Sequence, residues 1–330
     1  MFENNQTQSS KDNDDIMQQP YWKVKWELFK NNFFKNWNIF CENKIGIIGL
    51  IIIAMFVIIG ILHPLLMWYW SGQDVLNVYH PIQGVDLRTG QNNLPLQHPT
   101  SPSLRHPLGT DPMGRDVLSQ IMYSTRIEFV FGVLSALLGV VIATLVGTFA
   151  AYFGGKIDTF FMRFADLVLT FPFLAFLIFL SSMIKLNLIT LGIVIGLING
   201  FGGTTIVLKS QALSIKVKPY IEAAKISGGS HLHIIFKHIL PNILPLSFLY
   251  LMRGVTTAVM SEATLSFLGL LNAPISWGLI IEFARSFGYS FYEAWWLYLA
   301  PGLAITLFCG AFYLIGRGLD PIVNPELRER

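Results

Sequence analysis

The chain has 330 residues, of which 53% are hydrophobic and only 13% charged, and its formal net charge is +3. Soluble domains carry about 25% charged residues, so a protein of this length wetted on every side is excluded and lipid must be the solvent for much of it. A net charge this small does not suggest a nucleic-acid binder, and its distribution matters more than its sum.

In chain order, residues 1–19 are rich in Asn, Gln, Ser and Asp and are expected to be disordered. From Tyr21 to Lys44, rings at Trp22, Trp26, Phe29, Phe33, Phe34, Trp37 and Phe40 interleave with Lys23, Lys25, Lys30 and Lys35. Their spacing predicts an amphipathic helix on the membrane surface. Residues 1–44 thus form a polar tail ahead of any apolar run, which is not the layout of a cleavable signal peptide.

Six apolar runs follow, each near the roughly 20 residues that cross a bilayer: Ile45–Met67, Phe129–Phe153, Leu167–Ile184, Leu186–Leu208, Ile239–Ser261 and Trp295–Gly316. Only the fifth holds a fixed charge, Arg253. The expectation is an all-α integral membrane protein with six transmembrane helices. Its divisions are a tail (1–44), a first span (45–67), a loop or subdomain (68–128), a core of five spans (129–316) and a tail (317–330). Lysine and arginine cluster on one side of these runs, in 1–44, at Lys156 and Arg163, in the loop 209–238 and after 316. That asymmetry predicts both termini in the cytoplasm and the 68–128 loop outside. Trp68, Trp70, Trp295 and Trp296 sit at run ends, as in interfacial aromatic belts, and Asp166 and Lys185 are expected as interfacial anchors.

Neither Cys41 nor Cys309 belongs to a ligand pattern, and His231 and His233, two apart on a helix, point about 200° away from one another, so no metal site is expected. The loop 209–238 has more structure in it. Pro219 suits a first helical turn and Glu222 the positive end of a helix. Ala223 and Ala224 keep that helix slim, Gly228 and Gly229 end it, a second short helix runs from His231 to His238, and Pro241 opens the fifth span.

The segment from Pro219 to Pro245 resembles the EAA loop of importer permeases of the ATP-binding-cassette family: Glu222-Ala223-Ala224, three residues, Gly228, nine residues, an apolar position, one residue, Leu240-Pro241. His238 fills the apolar position. Segments such as His106–Ser119, Tyr152–Asp158, Phe171-Pro172, Glu262–Gly269, Ser276–Gly278, Pro301–Ile305 and Asn324–Arg328 extend the resemblance over residues 40–328. They are similar to the second (C-type) permease subunit of the dipeptide, oligopeptide and nickel branch. Ser124-Thr125 and Arg317 depart from that branch's pattern.

The resemblance implies a type I importer permease fold with a cytoplasmic coupling loop, in a bacterial cytoplasmic membrane. It implies that Glu222, Ala223, Ala224, Gly228, Leu240 and Pro241 couple the chain to separate ATPase subunits. Partners are then a second (B-type) permease chain, two ATP-binding subunits (D and F types) and an extracytoplasmic substrate-binding protein. No GxxxxGK[ST] motif occurs, so ATP and magnesium belong to those partners and this chain is not itself an enzyme. Short peptides are the expected cargo, with nickel or metal chelates and antimicrobial peptides as alternatives. Arg253 is a candidate for the substrate pathway. A secondary carrier would need ionisable residues in several spans, and a membrane-embedded enzyme a clustered acid–base set. The runs offer neither.

Overall fold

The structure, a computed structural model, describes residues 21–70, 76–86 and 97–323. The stretch 1–19, parts of the 68–128 loop and the ending from Asn324 lie outside the described residues. The elements are helical: α1 (Tyr21–Glu42), α2 (Lys44–Trp70), α3 (Leu76–Tyr79), α4 (Val117–Phe153), α5 (Gly155–Thr170), α6 (Phe173–Met183), α7 (Leu188–Phe201), α8 (Gly203–Lys216), α9 (Pro219–Ile226), α10 (His231–Ile234), α11 (Leu240–Phe267), α12 (Trp277–Ser286) and α13 (Trp296–Val323). Four stretches are long and apolar enough to cross a membrane, and six if each of two bent pairs counts as one.

The long central helix α4 begins at Val117, twelve residues before the expected Phe129. The apolar run hid this start, because Asp116 caps the helix by accepting a 2.7 Å hydrogen bond from the Ser119 amide and the first turns carry polar residues. Around α4 pack α2, α7, α8 and α11, with α13 against α2 and α11. The α4–α7 contact is close because Gly192, Gly196 and Gly200 recur every fourth residue on α7. A Cβ on Gly196 would stand 2.8 Å from a Leu138 methyl, and one on Gly200 2.9 Å from Ile142. Small residues at that spacing let membrane helices approach through their backbones.

The expected third span, Leu167–Ile184, is not one helix. It breaks at Phe171-Pro172, where α5 and α6 meet at 79°. Phe171 takes an extended conformation because the residue before a proline is pushed out of the helical region. The fourth bends by 40° at Gly202. Both bent pairs run from one end of the bundle to the other. Leu186, between them, accepts from the Asn272 amide at 2.9 Å, near the end where the Trp277 indole donates to the Ile121 carbonyl at 3.3 Å. Lys216, closing α8, donates to the Ala151 carbonyl at the opposite end of α4 at 2.9 Å.

At the Val117 end, Phe308 is fully buried among Phe56, Phe129, Trp277 and Phe312, with ring centroids 5.1–5.8 Å away. Above it lies a polar clasp. His106 is held between Asp116 Oδ1 at 2.8 Å and Asp86 Oδ2 at 3.2 Å, all three buried. Arg115 Nε donates to Asp111 at 2.6 Å, and the Trp296 indole donates to the Thr110 carbonyl at 3.1 Å. The loop therefore sits on the bundle as a fixed cover.

Candidate functional site

At the other end, the chain leaves α8 and forms α9, with Pro219 in its first turn and Glu222 exposed beside it. Ile221 is fully buried, joining Leu208, Ala212, Ile215, Ile234, Ile235, Ile239 and Ile243 under the loop. That single anchor fixes which face of α9 looks outward: Glu222 and Ala223 are exposed and Ala224 is half-buried. Ile226, at 83% exposure, and Tyr220 are further exposed apolar side chains of α9.

The turn after α9 uses its two glycines differently. Gly228 has φ +80° with open space around it, so its requirement is conformational. Gly229 donates to the Ala224 carbonyl at 3.0 Å, and a Cβ there would meet that same oxygen at 2.8 Å. Ser230 then caps α10, accepting from the His233 amide at 3.3 Å.

The second short helix expected from His231 to His238 is not separate. α10 continues through a widened π turn, Ile235–Ile239, straight into α11, so His231–Phe267 is one continuous element. Proline explains the widened turn, since Pro241 cannot donate to the Lys237 carbonyl and its ring crowds the preceding turn. Pro241 is exposed and Leu240 half-buried in the first turn of α11. His231 Nδ1 shares a 2.9 Å hydrogen bond with the Tyr152 hydroxyl, and Lys225 lies over the Tyr152 ring at 5.8 Å. His233 and His238 stack edge to face with centroids 5.6 Å apart. The loop is thus tied to the end of α4.

Midway along α11, Arg253 is exposed and lies over the Tyr250 ring at 5.5 Å. It lines a concavity of about 200 Å³ with Asn199, Thr204 and Thr257. Two further ionisable groups lie nearer the Val117 end, just beyond the limits of the apolar runs. Glu128 of α4 and Glu262 of α11, both fully buried, face one another, and Ser266 donates to Glu262 at 2.6 Å. The apolar runs start at Phe129 and stop at Ser261, one residue short of each acid; only the pairing across two helices reveals them. Arg317, unusual for its position, pairs with Asp320 at 3.1 Å.

Comparison with known proteins agrees with this architecture. Residues 118–328 match the family described as binding-protein-dependent transport system inner membrane component. The oligopeptide transport system permease protein OppC of Haemophilus influenzae is 34% identical over 307 residues, covering 92% of this chain and 89% of that protein. The dipeptide transport system permease protein DppC of Alkalihalophilus pseudofirmus is 33% identical over 291 residues, 87% of this chain and 88% of its own. DppC of Bacillus subtilis is 31% identical over 294 residues, 88% and 85% respectively. With its all-α bundle of membrane-length helices, the chain belongs to the binding-protein-dependent family of inner-membrane transport permeases.

Proposed function

We propose that this chain is one of two permease subunits of an ATP-driven importer that carries short peptides across the bacterial cytoplasmic membrane. The observation that carries the reading is the posture of α9. Ile221 anchors it over the ends of α4, α8 and α11, while Glu222, Ala223 and the exposed Ile226 face away from the bundle. A partner ATPase seats on that face, Glu222 making charge-assisted contacts and Ala223 and Ala224 keeping the approach close. Gly228 sets the bend, and Leu240 and Pro241 belong to the start of the span that receives the movement. Because α10 is continuous with α11, a push on α9 reaches a helix that runs through the membrane. Rocking of the bundle then opens the pathway, in which Arg253 stands, to alternate sides.

In this reading each bent pair crosses once, giving six crossings with both termini in the cytoplasm. The clasped His106 loop meets an extracytoplasmic binding protein. ATP and magnesium bind the ATPase subunits. Relatives named for oligopeptide and dipeptide transport support peptides over metal chelates as cargo.

The test is reconstitution of the complex in proteoliposomes with ATP inside and a labelled short peptide outside. ATP-dependent uptake is expected, with Ala223→Trp blocking it by spoiling the close approach. Substantial ATP hydrolysis by the isolated chain would overturn the assignment.

A further inference from the structure

Arg253 is the fourteenth residue of α11, about 20 Å from either end at 1.5 Å per residue. A fixed charge at that depth must face water or protein, not lipid. Among the described residues none of the ion pairs includes it; its recorded partner is the Tyr250 ring. The concavity beside it is lined by the small residues Ala136, Gly139 and Gly254 and by the polar Asn199, Thr204, Tyr250 and Thr257. Thr204 is the second residue of α8, which starts at the 40° break, and Gly202 before it provides no side-chain cap. The α8 backbone thus turns its positive end toward the same mid-span point as the guanidinium. Both features favour a negative charge.

We propose that this niche between α4, the α7–α8 break and α11 receives a carboxylate, and that its source is the C-terminus of the transported peptide. Arg253 supplies the charge, and Thr204, Thr257 and the Asn199 amide supply further donors. A terminal carboxylate suits a niche whose donors are grouped at mid-span beside the guanidinium, and an acid fixed on a neighbouring chain is an outcome of the test below. The inference rests on the peptide-permease reading above and adds to it the group recognised and the place.

The experiment compares uptake of a short peptide with its C-terminal amide in proteoliposomes holding the whole complex, each rate normalised to binding-protein occupancy. The wild type should favour the free acid on the order of tenfold, the worth of a charge-assisted hydrogen bond. Arg253→Gln should bring the acid down to the amide's rate, and Arg253→Lys should keep part of the preference. A preference for the acid that survives in Arg253→Gln overturns the proposal. So does an Arg253→Gln chain that no longer assembles with the second permease, since the guanidinium then pairs with an acid of that chain. A wild-type complex that moves no peptide with ATP would overturn the underlying function instead, and is recognisable because no variant is needed to see it.

Discussion

Glu262 accepts from Ser266 at 2.6 Å and lies against Glu128, and neither exposes any surface. Truncating Glu128 opens a cavity against Glu262, which keeps its bond from Ser266, at a cost of about 0.5–3 kcal/mol. An amide in its place keeps the size and hydrogen-bonding capacity and relieves two acids of facing each other. Glu128→Ala should therefore lower the thermal unfolding midpoint in detergent, while Glu128→Gln holds it near the wild type. Equal losses in both would mean the pair has no mutual role. Gly228 works through its backbone. With nothing within 4 Å of where a Cβ would stand, Gly228→Val meets no clash, but at φ +80° it carries about 1–3 kcal/mol of strain. It should insert normally yet lose peptide-stimulated ATP hydrolysis in the assembled complex, and normal transport would count against the lever. This glycine was legible because φ > 0 after a helix is what Gly-Gly signals. The acids were not, since each adjoins an apolar run and gains meaning only from a residue more than a hundred positions away.

Elements were legible where hydrophobicity alone decides them and illegible where a single residue overrides it. The run Leu167–Ile184 reads as one span because its composition is uniform, yet the chain breaks at Pro172 and bends by 79°. The start of α4 was missed for the opposite reason: its first turns are polar and are buried under a loop held by His106 and Arg115. Long-range polar pairing of that kind leaves no periodicity to read. Packing between elements yields two predictions. Gly196→Leu forces side-chain volume into the α4–α7 contact, where a Cβ would already stand only 2.8 Å from its neighbour. It should cost about 1–3 kcal/mol, seen as a lower unfolding midpoint, whereas Gly302→Leu, with open space around it, should not. Tyr152 carries the tie between α4 and the loop. Tyr152→Phe removes the 2.9 Å bond to His231 and keeps the ring under Lys225. It should leave complex assembly intact and lower the peptide transported per ATP hydrolysed, a ratio that a purely packing role would not move.

For the whole molecule, the contacts leave little freedom in how the chain threads. Tyr152 touches His231, and Lys216 touches Ala151, so the end of α4 and the α9 loop share one end of the bundle. Leu186 touches Asn272 near the other end, beside the Trp277–Ile121 bond. Between Phe153 and Pro219 the chain therefore travels to the far end and returns, through two pairs that are apolar enough to span but bent by 79° and 40°. The direction we propose for this axis across the membrane rests on charge, because Lys209, Lys216, Lys218, Lys225 and Lys237 gather around the α9 end. Single cysteines test it in a background with exposed Cys41 replaced by Ser and buried Cys309 left in place. Leu104→Cys, on the clasped loop, should react with an impermeant maleimide in intact spheroplasts. Ile226→Cys, on the outward face of α9, should react only after the membrane is opened. Both positions are highly exposed in the folded chain, so protection cannot come from burial in it. Reversed labelling would place the α9 face outside the cell, where no ATPase could reach it. The coupling role of Glu222 would fall with the orientation.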